Sequence, residues 1–185
     1  DNLRHWYRYH HLFVDVLQAH LMETQPEQVA CLHQRASAWY QQNGNPSDAI
    51  RHALAAKDFE RAAGLIELAW PAAEEGNIQS AAWLSWVKAL PEALLQARPV
   101  LNVGYAYALL GRGELEGAET RLNDAERWLK PADTMNVQLA TPSVAMIVVD
   151  QEQFQSLPAA IAVGRAYIAQ AYGNIPDTVR YASRA

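Results

Sequence analysis

The sequence predicts an all-α protein built from antiparallel helix pairs stacked into a superhelix, an α-solenoid. Three observations predict it. Alanine is the commonest residue, and runs of β-branched residues are almost absent. Apolar residues recur at helical spacing along most of the chain. One short turn pattern recurs five times, the mark of a repeat architecture.

The elements follow in order. Tyr9, Leu12, Phe13, Val16, Leu17 and Leu21 line one face of a first helix. Val29, Leu32, Ala36, Trp39 and Tyr40 line a second, and Thr24 with Glu27 three residues later has the pattern of its capping box. Phe59, Ala62, Ala63, Ile66 and Trp70 make a third stripe. Trp83, Trp86, Val87 and Leu90 make a fourth, and Leu115, Ala118, Leu122, Ala125 and Leu129 a fifth. The stretch from Val144 to Val149 is strand-like, but no hairpin turn leads it to a partner. Residues 130–157 hold Pro131 and Pro142 and no clean period, and are expected to form a loop with one short helix. Helical patterning is expected to resume at Pro158 and to run to about Gly173.

The repeated turn begins at Gly44, Lys57, Gly76, Gly113 and Gly173. Its first residue suits a left-handed stop after one helix, which glycine takes without a Cβ clash. The second is usually Asn or Asp, which caps the next helix. Five positions on stands a small residue (Ala49, Ala62, Ala81, Ala118 or Thr178) that lets two helices pack closely. From Gly76 to Gly113 the spacing is 37, near the ~34 of a tetratricopeptide unit. The other spacings, 13, 19 and 60, are irregular.

Size and composition exclude much else. A chain of 185 residues and 20.6 kDa, half of it hydrophobic, makes one domain or two small ones with a sizeable core. One cysteine, Cys31, excludes an internal disulfide framework and any multi-cysteine metal site. A net charge of −5 gives no global attraction to nucleic acid. No apolar run reaches the roughly 18 residues of a membrane span, these residues show no basic start followed by an apolar stretch of the kind a secretory leader has, and the one candidate glycosylation site, Asn45-Pro46-Ser47, is blocked by its proline. A cytoplasmic location, without membrane association, is the expectation. The start at Asp1 and the end at Ala185 inside a helical pattern read as a piece of a longer protein.

Catalytic signatures are absent. His11 and Asp15 stand four apart and could offer two ligands to a metal, but no third is placed, so no metal site is expected. Cys31 beside His33 points to another side of its helix and is read as an inert thiol. Ser80 and Ser85 have no nucleophile-elbow context, and no P-loop occurs. The segment from Arg4 to His11 interleaves basic and aromatic residues, as nucleic-acid binders do, yet packing against a neighbouring domain is the preferred reading. Tyr9, His10, His11 and Phe13 are its candidate contacts. Of six tryptophans, Trp39, Trp70 and Trp83 are expected in the core. Trp86 and Trp128 are candidates to line a ligand groove.

An ordered series of blocks adds a resemblance. Arg8-Tyr9-His10-His11-Leu12-Phe13, then Leu32 to Tyr40, then Ala49-Ile50-Arg51-His52-Ala53-Leu54, Asp58 to Ala63, and Leu90 to Leu95 with Arg98-Pro99 are similar to the large ATP-binding LuxR-type regulators, the MalT-like transcriptional activators. The likeness runs from about Trp6 to Leu129. Lys57 and Thr178 depart from the usual glycine and alanine, and residues 130–157 match nothing in the family. The resemblance implies a non-catalytic, signal-sensing part of such a regulator. Residues 1–92 would be a helical arm following the ATPase and winged-helix part, and 93–185 the start of a tetratricopeptide-like sensor superhelix, or the two one continuous solenoid. It implies a small-molecule inducer or regulatory protein as partner, contact with the protein's own ATPase domain, and DNA contact only through a helix-turn-helix elsewhere. No cofactor is expected in these residues, ATP belonging to the upstream domain. Apolar surface at the start makes self-association an expectation, and a free-standing protein-binding scaffold is the alternative.

Overall fold

A computed structural model describes residues 11–76, 78–129 and 145–185. Eleven α-helices form among them: α1 (His11–Thr24), α2 (Pro26–Gln42), α3 (Pro46–Ala55), α4 (Phe59–Leu68), α5 (Trp70–Glu74), α6 (Ser80–Lys88), α7 (Glu92–Gln96), α8 (Pro99–Leu110), α9 (Leu115–Glu126), α10 (Gln151–Ala171) and α11 (Ile175–Ala182). One turn of 3-10 helix, Arg127–Leu129, extends α9. No strand forms among the described residues. Helices pack in sequential pairs, α2 on α3, α8 on α9 and α10 on α11, and α10 returns to α8 to join consecutive pairs. This is the predicted solenoid arrangement.

The turns explain the pairing. Gly44, Lys57, Gly76, Gly113 and Gly173, the first residues of the five repeated turns, are the described residues with positive φ. In four of them the next amide (Asn45, Asp58, Glu114 or Asn174) donates to the carbonyl five residues back and closes the preceding helix. The side chains of Asn45, Asp58 and Asn174 then accept from the amides of Asp48, Arg61 and Asp177 and open the next helix. Four residues beyond the cap, Ala49, Ala62 and Ala118 are fully buried against the neighbouring helix.

The turn at Gly76 is different. Ile78 is buried in it, and the N-cap falls at Gln79, so α6 starts two residues late. Ala81 is therefore exposed, and Trp83 takes the buried position four beyond the cap. Its indole Nε1 donates to the Ile66 carbonyl at 3.0 Å.

Helix α8 is the centre of the core. All of its residues but Tyr107 and Ala108 are buried, which is why it carries no one-sided stripe. Ile50, Ile66, Trp83, Leu101, Leu122 and Leu157 are the large apolar side chains sealed around it and along the stack.

Other expectations are corrected. The N-cap of α2 is Gln25, with Pro26 at the first helical position, and Thr24 Oγ1 donates back to His20 O rather than forming a capping box. Trp39 is 46% exposed, because α2 buries the opposite side, centred on Ser37. Ser37 Oγ donates to Ala49 O at 2.8 Å and accepts from Arg61 Nε at 2.9 Å. Helix α10 starts at Gln151, capped by Asp150, so Pro158 lies inside it. An interior proline costs about 3 kcal/mol. Burial of Leu157 and Ile161 beside it offsets that at about 1.5–3 kcal/mol each.

The described part of the strand-like stretch, residues 145–149, forms no strand. The Ile147 amide donates to Ala97 O at 2.8 Å. The amides of Val149 and Asp150 donate to Glu67 Oε1 at 2.9 and 3.4 Å. Glu67 is fully buried, and Arg98, also buried, meets it at 3.3 Å and Glu60 at 3.2 Å. A carboxylate thus satisfies backbone groups that a partner strand would otherwise take.

Candidate functional site

A cavity of ≈ 190 Å³ opens where α5, α8 and α10 converge. Trp70 enters it from the start of α5. Its ring packs against two neighbours: the Trp83 ring lies 4.8 Å away, centroid to centroid, and Gly104 of α8 lies close to both rings. A Cβ on Gly104 would stand 3.0 Å from Trp70 and 3.2 Å from Trp83, so any larger residue there would press on both rings and make them give by a few tenths of an ångström. Tyr107 enters one turn further along α8. Its hydroxyl donates to Ala160 O at 2.9 Å, and its ring lies 6.3 Å from that of Trp70, tilted by 57°. Burial, and secondarily the charge of Glu74, raises the Tyr107 phenol above its ordinary value, which keeps it a neutral donor. From α10 come Gln153, Ser156, Leu157 and Ala160. Glu74, exposed at the end of α5, is the one charged residue of the lining, and it makes no ion pair among the described residues. Such an arrangement can hold a small molecule against a lining of aromatic and polar side chains. It offers no nucleophile paired with a base, and no group of three metal-ligating side chains occurs among the described residues.

A second groove, ≈ 400 Å³ and more apolar, lies between α1, α2 and α3. On its wall His33 Nδ1 and His52 Nδ1 stand 2.8 Å apart, and His52 stacks on Tyr40 at 5.3 Å. Only one of two facing nitrogens can carry a proton. Burial lowers the His52 pKa first, the charges of His33 and Arg51 lower it further, and Asp48 opposes them.

The predicted site residues fall in different places. Tyr9 and His10 lie outside the described residues, as does the side chain of His11, whose backbone opens α1. Phe13 is 50% exposed on α1, on an apolar surface shared with Val16 and Leu17. Trp86 is half-buried against the core. Trp128 is half-buried, with its indole donating to Gln96 O at 3.0 Å. Neither lines the aromatic cavity. The cavity draws Trp70, Tyr107 and Ser156 from three helices far apart in sequence, so no spacing rule connects them. The isolated glycine at 104, inside a helix, is the one local signal that something presses close there.

Comparison with known proteins places this geometry in context. The family model of the MalT winged helix domain matches residues 1–29. The curated relatives are serine/threonine-protein kinases PknK of Mycobacterium tuberculosis, strains CDC 1551 / Oshkosh and ATCC 25618 / H37Rv, and of Mycobacterium bovis. Each is 37% identical over 132 residues, which cover 65% of this chain. The chain spans 11% of the length of these relatives. No solved structure matches it.

Proposed function

We propose that the chain is an interdomain, signal-sensing module of a MalT-like, LuxR-type transcriptional regulator, without catalysis of its own. It would couple binding of a small-molecule inducer or a regulatory protein to oligomerisation of an ATPase domain and so to transcription activation. The coupling is a population shift: the effector binds one arrangement of the helices better than another. DNA would be met through a helix-turn-helix elsewhere in the protein, in the cytoplasm; among the described residues no helix is long and apolar enough to cross a membrane.

One observation carries this reading. The winged-helix match ends at residue 29, inside α2, and the rest of α2 packs on α3 at the head of the solenoid. The matched segment and the repeat array share one continuous helix, so a tilt of either moves the other. The segment that resembles PknK amounts to 11% of those kinases, which supports a module carried by larger proteins.

Immunodetection of the native polypeptide with antibody against this chain tests the reading. The expected band is several-fold larger than 20.6 kDa. A band near that mass would overturn it in favour of a free-standing helical scaffold, whose protein partner would then be sought.

A further inference from the structure

We propose that the cavity between α5, α8 and α10 is a binding site for a small organic cation of the alkylammonium class. Three observations meet there. First, both aromatic walls are set before any ligand arrives. Trp70 packs against Trp83 and Gly104, and Tyr107 is tied to Ala160 O. A site whose walls need not be ordered on binding keeps more of its interaction energy as affinity. Second, the lining holds one charge, the Glu74 carboxylate, with no cation near enough to pair with it among the described residues. The other polar groups, on Gln153 and Ser156, are neutral, and the Ser156 hydroxyl donates to Gln153 O at 2.8 Å. Third, at ≈ 190 Å³ the space fits a compact headgroup rather than an extended peptide or an oligosaccharide.

Aromatic faces attract cations through the ring quadrupole, most strongly on tryptophan, and a carboxylate at the rim adds a full opposite charge. An anion meets only repulsion from Glu74. A neutral molecule of the same shape gains the packing but neither electrostatic contribution. The site therefore selects for charge more than for shape.

The assignment gives a ligand class to the sensing role proposed above but rests on the cavity alone. A native band near 20.6 kDa would remove the regulator reading and leave the cation site standing. The test is titration of the 185-residue chain with choline, and in parallel with its neutral isostere 3,3-dimethylbutan-1-ol, followed by NMR. The expected result is a saturable shift of the Trp70 indole and of amides in α5 and α10, with choline binding about ten-fold more tightly than the alcohol. Glu74→Gln, on an exposed side chain, should leave the melting temperature unchanged and remove most of that preference. Ser156→Phe, also at an exposed position, should fill the mouth and abolish the shifts while the fold persists. Equal binding of choline and alcohol, shifts that survive both substitutions, or no saturable shift at Trp70 would each overturn the proposal.

Discussion

Helix α8 has packed neighbours on nearly every side, whereas among the described residues α1 packs chiefly on α2. Ten of the twelve residues of α8 are buried, while on α1 Phe13, Val16, Leu17 and Met22 are all exposed. The far end of the chain repeats the contrast: α11 packs on α10, yet Ile175 and Val179 stand 73% and 63% exposed. In a solenoid each unit is stabilised by its immediate neighbours, so elements in the middle gain two interfaces and those at an edge gain one. Rigidity therefore belongs to the centre, where the aromatic cavity lies. Among the described residues, exposed apolar side chains are carried by the helices at the two ends, α1 and α11.

The sharpest way to break the centre is through its buried charge. Arg98→Ala leaves Glu67 buried without its cation and should cost about 3–5 kcal/mol. Urea unfolding reads the loss, and the amides of Val149 and Asp150 should lose protection with it. A change below about 1 kcal/mol would mean that the carboxylate is held by those amides alone.

Repeat turns allow a paired comparison. Ala118→Phe forces a ring into a fully buried position and should cost about 1–3 kcal/mol. Ala81→Phe, at the same step of the repeated pattern but exposed, should stay within about 0.5 kcal/mol. Equal effects on the melting temperature would show that the late start of α6 is wrong.

Lys57 supplies a gain rather than a loss. It holds φ of 56°, which costs a side-chain-bearing residue roughly 1–2 kcal/mol and glycine nearly nothing. Lys57→Gly should raise stability by up to about 1 kcal/mol, less the chain entropy that glycine adds to the unfolded state.

The smallest expected effect is at the N-terminal groove. The folded-state pKa of His52 lies below its unfolded value, so the folded protein binds fewer protons than the unfolded one. This contribution to stability is full above the ordinary imidazole value of about 6.5 and is lost as pH falls below it. His33→Asn removes the facing ring and should flatten that slope in thermal melts between neutral and acidic buffer.

What sequence could reveal followed from how local each feature is. The turns were legible because a left-handed residue and its following cap are set by adjacent residues; the pattern reached even Lys57, where the glycine is absent. The stripes of α4 and α9 were legible because each buries one face. Helix α8 left no stripe because burial on nearly all sides erases the period. Ala81 departs from the pattern because two extra turn residues shift the helix start without altering the local sequence signal. Pro158 reads as a helix start because local preference disfavours it inside one, and tertiary burial of its neighbours outweighs that preference. The aromatic cavity was illegible because its parts converge only when α10 folds back on α8.

Native-state hydrogen exchange, read helix by helix on the 185-residue chain, measures the contrast between centre and edge most directly. The expected result is slowest exchange in α8, with α1 and α11 exchanging many-fold faster. Protection of α1 equal to that of α8 would contradict it, and would mean that the N-terminal face is already complete without a further domain upon it.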